Sequence, residues 1–159
     1  MNMKIYLKTF IWILIFGLSG CQNSNNAKYP SDRLISAKWI FLGLQHNNTR
    51  IYESVPADLH GMDITFTKSN RFLANSSCNT AYGYYLIFEQ NSIKIDSLVM
   101  TKMFCMDSAQ ILWEDKYISG LKSSNGFEIT EDTLSIRSNS NIEMIFKKES
   151  QKTKTGDQN

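Results

Sequence analysis

The chain is short of histidine, has no glycine-rich loop and lacks closely spaced cysteines, and each shortage removes a class of chemistry. Only two of its 159 residues are histidine, His46 and His60, and both lie in stretches that read as loops. A Ser-His-Asp hydrolase needs a histidine beside a serine on a strained elbow, and the Gly-x-Ser-x-Gly that builds such an elbow does not occur. There is no glycine-rich phosphate cradle. Zinc held by Cys78, Cys105 and one histidine is chemically conceivable, but no close-spaced ligand pair supports it. Glu53, Asp58 and Asp63 are near one another in sequence, yet spacing in loops gives no sign of a raised pKa, so a paired-carboxylate mechanism has no support. We therefore expect no catalytic residues, no cofactor and no metal.

A long apolar run is missing too. Phe10 to Phe16 is almost unbroken apolar, well short of the ~20 residues that span a bilayer. It suits the apolar core of a secretory signal, with Lys4 and Lys8 at its charged end. The run closes on Leu18-Ser19-Gly20-Cys21, which resembles the bacterial lipobox, where small residues precede a cysteine that is diacylated before the signal is cut off. An uncleaved anchor and an ordinary signal peptide with a chance cysteine are the competing readings. On the lipobox reading residues 1–20 are removed and Cys21 carries the lipid. The protein is then held by a membrane at the bacterial cell envelope, in the periplasm or at the cell surface.

Excess charge of one sign disappears with that signal. Taking Lys4 and Lys8 from the 17 bases leaves 15 against 15 acids. Nucleic-acid binding needs clustered positive charge, so that class is excluded. The 139 residues left after removing 20 from 159 suit one domain with a single core.

Cys78 and Cys105 then form an even pair in a disulfide-permissive compartment. The chain-entropy argument gives ~3.5 kcal/mol for closing a loop of this size. Two buried free thiols and a metal site are the alternatives. A redox centre would favour Cys-x-x-Cys, which is absent.

Residues 21–33 read as the lipidated cysteine and a flexible polar tether. From Leu34 the pattern turns to strands. Ala37 to Gly43 is rich in Trp, Ile and Phe, and Ile51-Tyr52-Glu53 suits a short edge strand. Met62, Ile64 and Phe66 alternate with Asp63, Thr65 and Thr67, and Lys68-Ser69-Asn70 turns the chain into Arg71 to Ala74. Gly83 to Glu89, Ile93 to Ile95 and Leu98 to Phe104 are further extended segments. One helix interrupts them. Asp107-Ser108-Ala109-Gln110 suits a capping box, and Ala109, Trp113, Tyr117 and Leu121 recur in steps of four with Ile111 and Ile118 beside them. Glu114, Asp115 and Lys122 fall outside that stripe. Three short strands follow within 126–147, and residues 148–159 read as a disordered tail. Many short strands with one helix imply a mainly β fold, a compact antiparallel barrel or strongly curved sheet.

Tyr82, Tyr84 and Tyr85 surround Gly83. The structural reading has Gly83 easing a strand bend with tyrosines packed about it; the functional one has Tyr82 and Tyr84 as an exposed patch for a protein or glycan partner.

At these residues the chain resembles the META-domain (HslJ-like) family. The resemblance rests on Trp39 with Leu42, Ile64-x-Phe66, Cys78-Asn79, Gly83-x-Tyr85, Thr101-x-Met103-x-Cys105 before a helix, and Asp132 to Ile136. It covers residues 34–147. Ser77 stands where the family usually has Gly, and Phe104 where a small residue is usual. The resemblance implies a small β-rich barrel with one helix, found in bacterial envelope proteins that are often lipid-anchored, some of them tied to heat shock or envelope stress. It implies no catalytic residue and no cofactor. We expect a non-catalytic, lipid-anchored envelope protein that binds an unknown protein or glycan, or buffers envelope stress. The alternative is a small-barrel inhibitor of a foreign hydrolase such as lysozyme, which would show a protruding loop with a few anchoring side chains.

Overall fold

The computed structural model describes residues 30–35, 37–59, 61–88 and 91–150. The proposed signal peptide, Cys21, most of the proposed tether, His60 and residues 151–159 of the proposed tail lie outside them. Among the described residues no helix is long and apolar enough to cross a membrane.

A short helix α1 (Pro30–Leu34) leads into β1 (Lys38–His46), β2 (Ile51–Ser54), β3 (Asp63–Phe66), β4 (Arg71–Asn75), β5 (Thr80–Phe88) and β6 (Ser92–Met100). Helix α2 (Ser108–Lys122) follows, then β7 (Ser124–Thr130), β8 (Thr133–Ser138) and β9 (Ile142–Lys148). All ladders are antiparallel, in the order β6-β5-β4-β3-β1-β9-β8-β7, with β2 added on β1. The path curls until its ends meet, and Ile95 N donates to Ser124 Oγ (3.3 Å) across the seam. The result is a nearly closed barrel, which leaves few free sheet edges.

Local chemistry accounts for the elements. In β3 and the residue before it, Met62, Ile64 and Phe66 are buried as their alternation requires. Asp63 is buried as well, because Lys38 Nζ (3.3 Å) and Asn75 Nδ2 (3.1 and 3.2 Å) satisfy its carboxylate. Asn70 takes φ 58° in the β3–β4 turn, a conformation asparagine tolerates. Gly43 (φ +155°) sits where β1 shifts register against β9, and a Cβ there would lie 2.2 Å from Glu53 O. Asp107 caps α2 by accepting from Ala109 N (2.8 Å).

The core fills the barrel with aromatic rings. Phe41 meets Tyr117 at 4.9 Å and Phe146 at 5.2 Å between centroids. Tyr117 is buried completely, its hydroxyl donating to Asp63 O (2.8 Å), and burial pushes its pKa well above the usual value. The register also sets two ends. At one lie the β3–β4 turn, Thr133 and Lys148, with Arg33 of α1 donating to Ile129 O and Glu131 O. At the other lie Asn75, Thr80 and Met100, and α2 covers that end through Trp113, Tyr117 and Leu121.

Several sequence expectations need correction. Ser31 to Arg33 belong to α1 rather than to a tether, because Leu34 is fully buried and its carbonyl accepts from Trp39 Nε1 (2.9 Å). Among the described residues there are therefore two helices. Lys148 is the last residue of β9 and Glu149 N donates to Lys38 O (2.9 Å), so 148 does not begin a tail. Ile93 to Ile95 and Leu98 belong to one strand, β6 (Ser92–Met100), and the segment 101–107 after it is irregular. Ile111 faces solvent on α2, while Ala109 is only half-buried. Gln110 joins no capping box; its carbonyl accepts from Ser77 Oγ (2.6 Å).

Candidate functional site

The residues singled out in the middle of the sequence converge on the α2 end of the barrel. Cys78 and Cys105 are joined as a disulfide with Cα atoms 6.0 Å apart. Next to it Asn79 is buried, and it organises the surroundings. Its Oδ1 accepts from Thr101 Oγ1 (2.8 Å) and Met103 N (2.7 Å), and its Nδ2 donates to Glu114 Oε1 (2.9 Å). The Asn79 main-chain N–H lies 2.8 Å from Glu114 Oε2 and 3.0 Å from Ser76 Oγ. Ser76 Oγ is also within reach of Glu114 Oε2 and of the Asn79 carbonyl, and its single proton serves one acceptor at a time. Thr101 Oγ1 accepts in turn from Thr80 N (3.1 Å).

This arrangement fixes a loop. Residues 101–107 are tied by Asn79 at Thr101 and Met103, by the disulfide at Cys105 and by the cap at Asp107. The side chains between those ties point outward: Phe104 and Met106 are each 90% exposed and Met103 is 66% exposed. The bulk of Phe104 is thus displayed to solvent. Ser77 contributes a hydrogen bond to α2 that glycine has no side chain to make.

Gly83 and Tyr85 set the neighbouring strand. A Cβ on Gly83 would meet Ser97 O at 1.9 Å, so β5 and β6 approach there as only glycine permits, just before their register shifts at Tyr84/Tyr85. Tyr85 points inward, edge-on to Phe66 (5.0 Å), with its hydroxyl donating to Thr67 O (2.8 Å). Tyr82 and Tyr84 point outward, 46% and 53% exposed. Tyr82 lies opposite Leu73 and Val99, which are exposed too, and Arg71 stands 6.0 Å over the Tyr84 ring. Leu86 and Phe88 continue the same outward row.

Two of the three carboxylates considered for catalysis, Asp63 and Glu53, go to separate partners. Asp63 is held by Lys38 and Asn75, and Glu53 by Lys116. The Lys116 hydrogen bond, more than any other group, holds the Glu53 carboxyl below its usual range. His46 Nε2 lies 3.6 Å from Glu53 Oε2, with no serine or cysteine among its polar contacts. Ligand atoms of Cys78, Cys105 and Glu114 lie within 4.8 Å of one another. With the two sulfurs bonded to each other, neither is a thiolate, and the Glu114 oxygens serve Asn79 and Ser76.

Sequence reasoning missed Glu114. Its place outside the helical stripe suggested solvent, yet it is half-buried and the principal acceptor of the cluster. The available signal was a carboxylate seven residues beyond the helix cap and within reach of Cys78-Asn79 only once the fold is known.

A family model described as META domain matches residues 47–151. No curated protein matches the chain. Among solved structures it is similar to a protein from Burkholderia xenovorans studied by NMR, with 17% identity, a TM-score of 0.62, and 76% of this chain and 87% of that one covered. It is also similar to a crystal structure of a DUF4847 family protein from Bacteroides vulgatus, with 14% identity, a TM-score of 0.56, and 77% and 99% covered. At such identities these likenesses concern the fold.

Proposed function

Because the chain belongs to the META domain family, we propose that it is a non-catalytic, lipid-anchored protein of the bacterial envelope whose barrel binds a partner or serves in envelope stress. The observation that carries the binding reading is the outward row of β5, where Tyr82, Tyr84, Leu86 and Phe88 are all exposed. An ordinary solvated barrel face alternates apolar inside with polar outside, and a large exposed apolar patch marks an interaction site. The lipid reading rests on Phe10 to Phe16 followed by Leu18-Ser19-Gly20-Cys21.

Two experiments test the two halves. Cys21→Ala should abolish palmitate labelling and leave an uncleaved or soluble product; unchanged labelling and fractionation would remove the anchor. Crosslinking in intact envelopes should yield adducts with the wild type that Tyr82→Ser/Tyr84→Ser loses at equal abundance. Identical adducts from both would remove the row as a binding surface.

A second reading, inhibition of a foreign hydrolase such as lysozyme, is favoured by the tied loop 101–107 with Phe104 and Met106 displayed at its tip. A preorganised loop loses little entropy on insertion into a cleft. Inhibition of a c-type lysozyme by the purified protein, lost in Phe104→Ala, would establish it; no inhibition by the wild type would remove that enzyme as the target.

A further inference from the structure

We infer that the outer face of β4, β5 and β6 is a second membrane contact, lying against an anionic bilayer surface. The inference rests on the lipid-anchor reading and names the bilayer itself as the partner of the β5 row.

Composition of the face is the first reason. Four successive outward positions of β5 are Tyr82, Tyr84, Leu86 and Phe88, and Leu73 and Val99 flank Tyr82 from β4 and β6. The strands just across the β6–β7 seam behave differently. Outward positions there are Asn125, Glu128 and Thr130 on β7 and Thr133, Ser135 and Arg137 on β8. The outward surface thus turns from apolar to polar across that seam, although strand pairing alone asks for neither. Tyrosine has an apolar ring and a polar tip, and suits the headgroup level of a bilayer.

Charge is the second. Among the described residues the ions that border this row are Lys68, Arg71, Lys94 and Asp96. Asp96 lies 3.9 Å from Lys94 and Asp32 shares a groove with Lys68, leaving the excess positive at Arg71. Basic groups beside an apolar strip are attracted to anionic headgroups at ~1 kcal/mol each, a factor of about five.

The tether's point of entry is the third, and it favours a bilayer over a protein. Ser31, Asp32 and Ile35 at α1 share a groove with Lys68, Asn70 and the inward-facing Tyr85 and Ile87, so the chain enters at the β3–β4-turn end of the barrel. Nine residue steps separate Cys21 from Pro30, which reach at most ~30 Å when fully extended. A lipid on Cys21 therefore keeps the whole barrel near the membrane, where even a weak contact by its apolar face is favoured by the high effective concentration.

The test uses the mature chain, residues 21–159, with Cys21→Ser so that no acyl group contributes. It should sediment with vesicles of phosphatidylcholine containing phosphatidylglycerol, less with pure phosphatidylcholine, and less again as salt is raised. Arg71→Ala should weaken binding about fivefold, and Phe88→Ser/Tyr82→Ser should remove it with the melting temperature unchanged. In the acylated protein, Tyr82→Trp should be quenched by brominated lipid. No vesicle binding together with no quenching overturns the inference, as does binding that the Phe88/Tyr82 variant retains. Saturable binding of an envelope protein or a glycan through the same residues, without vesicle binding, assigns the face to that partner instead. Loss of palmitate labelling in Cys21→Ala tests the anchor separately, since the vesicle experiment contains no acyl group.

Discussion

Glu114 on α2 holds both nitrogens of Asn79, the main-chain N–H at 2.8 Å and the side-chain amide at 2.9 Å. The same asparagine uses its oxygen to fix Thr101 and Met103. One buried side chain thus joins the β4–β5 turn, the helix and the displayed loop. Asn79→Ala should cost ~3 kcal/mol, since it strips a donor from a half-buried carboxylate and an acceptor from an amide. Asn79→Asp should be no better, because it sets a second carboxylate beside Glu114. Denaturant midpoints check both, and wild-type midpoints would show that the cluster contributes nothing to stability.

The Cys78–Cys105 bond adds a covalent tie to that cluster. Neither cysteine of the native protein should react with an alkylating reagent until reductant is added. Reduction should then destabilise the domain by ~3.5 kcal/mol, lowering its melting temperature by roughly 10 °C or more. Prompt alkylation of both thiols before reduction would contradict the pairing.

At Gly83 the strands β5 and β6 approach too closely for a side chain. A methyl group there meets main chain rather than a movable side chain, the nearest atom being Ser97 O. Gly83→Ala should therefore cost ~1–3 kcal/mol by overpacking, and hydrogen exchange should quicken at Tyr84 and Leu98 first. Unaltered exchange along β5 and β6 would show that the strands separate without penalty.

The Glu53–Lys116 pair carries the clearest pH dependence outside the core. Hydrogen bonding to Lys116 holds the Glu53 carboxyl below its ordinary value of 4.5. Its contribution is therefore complete above about that pH and is lost as pH falls through the lower folded value. Glu53 is 36% exposed, so solvent screening limits the effect to ~0.5 kcal/mol. Stability of Glu53→Gln should trail the wild type slightly at neutral pH, and the two should converge in acid. A constant gap from neutral pH down to strong acid would assign the loss to packing.

Features that depend on near neighbours could be read from the chain alone. The alternation of Met62, Ile64 and Phe66, the turn through Asn70 and the Asp107 cap each involve residues within a few positions of one another, and each stands in the structure. The mainly β barrel followed from many such short signals. Strand β5 shows where that reasoning stops. Ala81, Gly83, Tyr85 and Ile87 lie on one face and Tyr82, Tyr84, Leu86 and Phe88 on the other, so neither face is polar and periodicity alone does not decide which enters the core. The tertiary structure decides it, because Gly83 fits against Ser97 and the Tyr85 hydroxyl finds Thr67 only with that face inward. Glu114 is the same lesson in electrostatics: it lies 35 residues from Asn79, and a carboxylate on the polar side of a helix stripe becomes a half-buried partner only when the barrel brings the Cys78-Asn79 turn to it. Local sequence determines which residues alternate and where elements stop, whereas closure of the barrel determines which face is inside and which distant polar groups must satisfy one another.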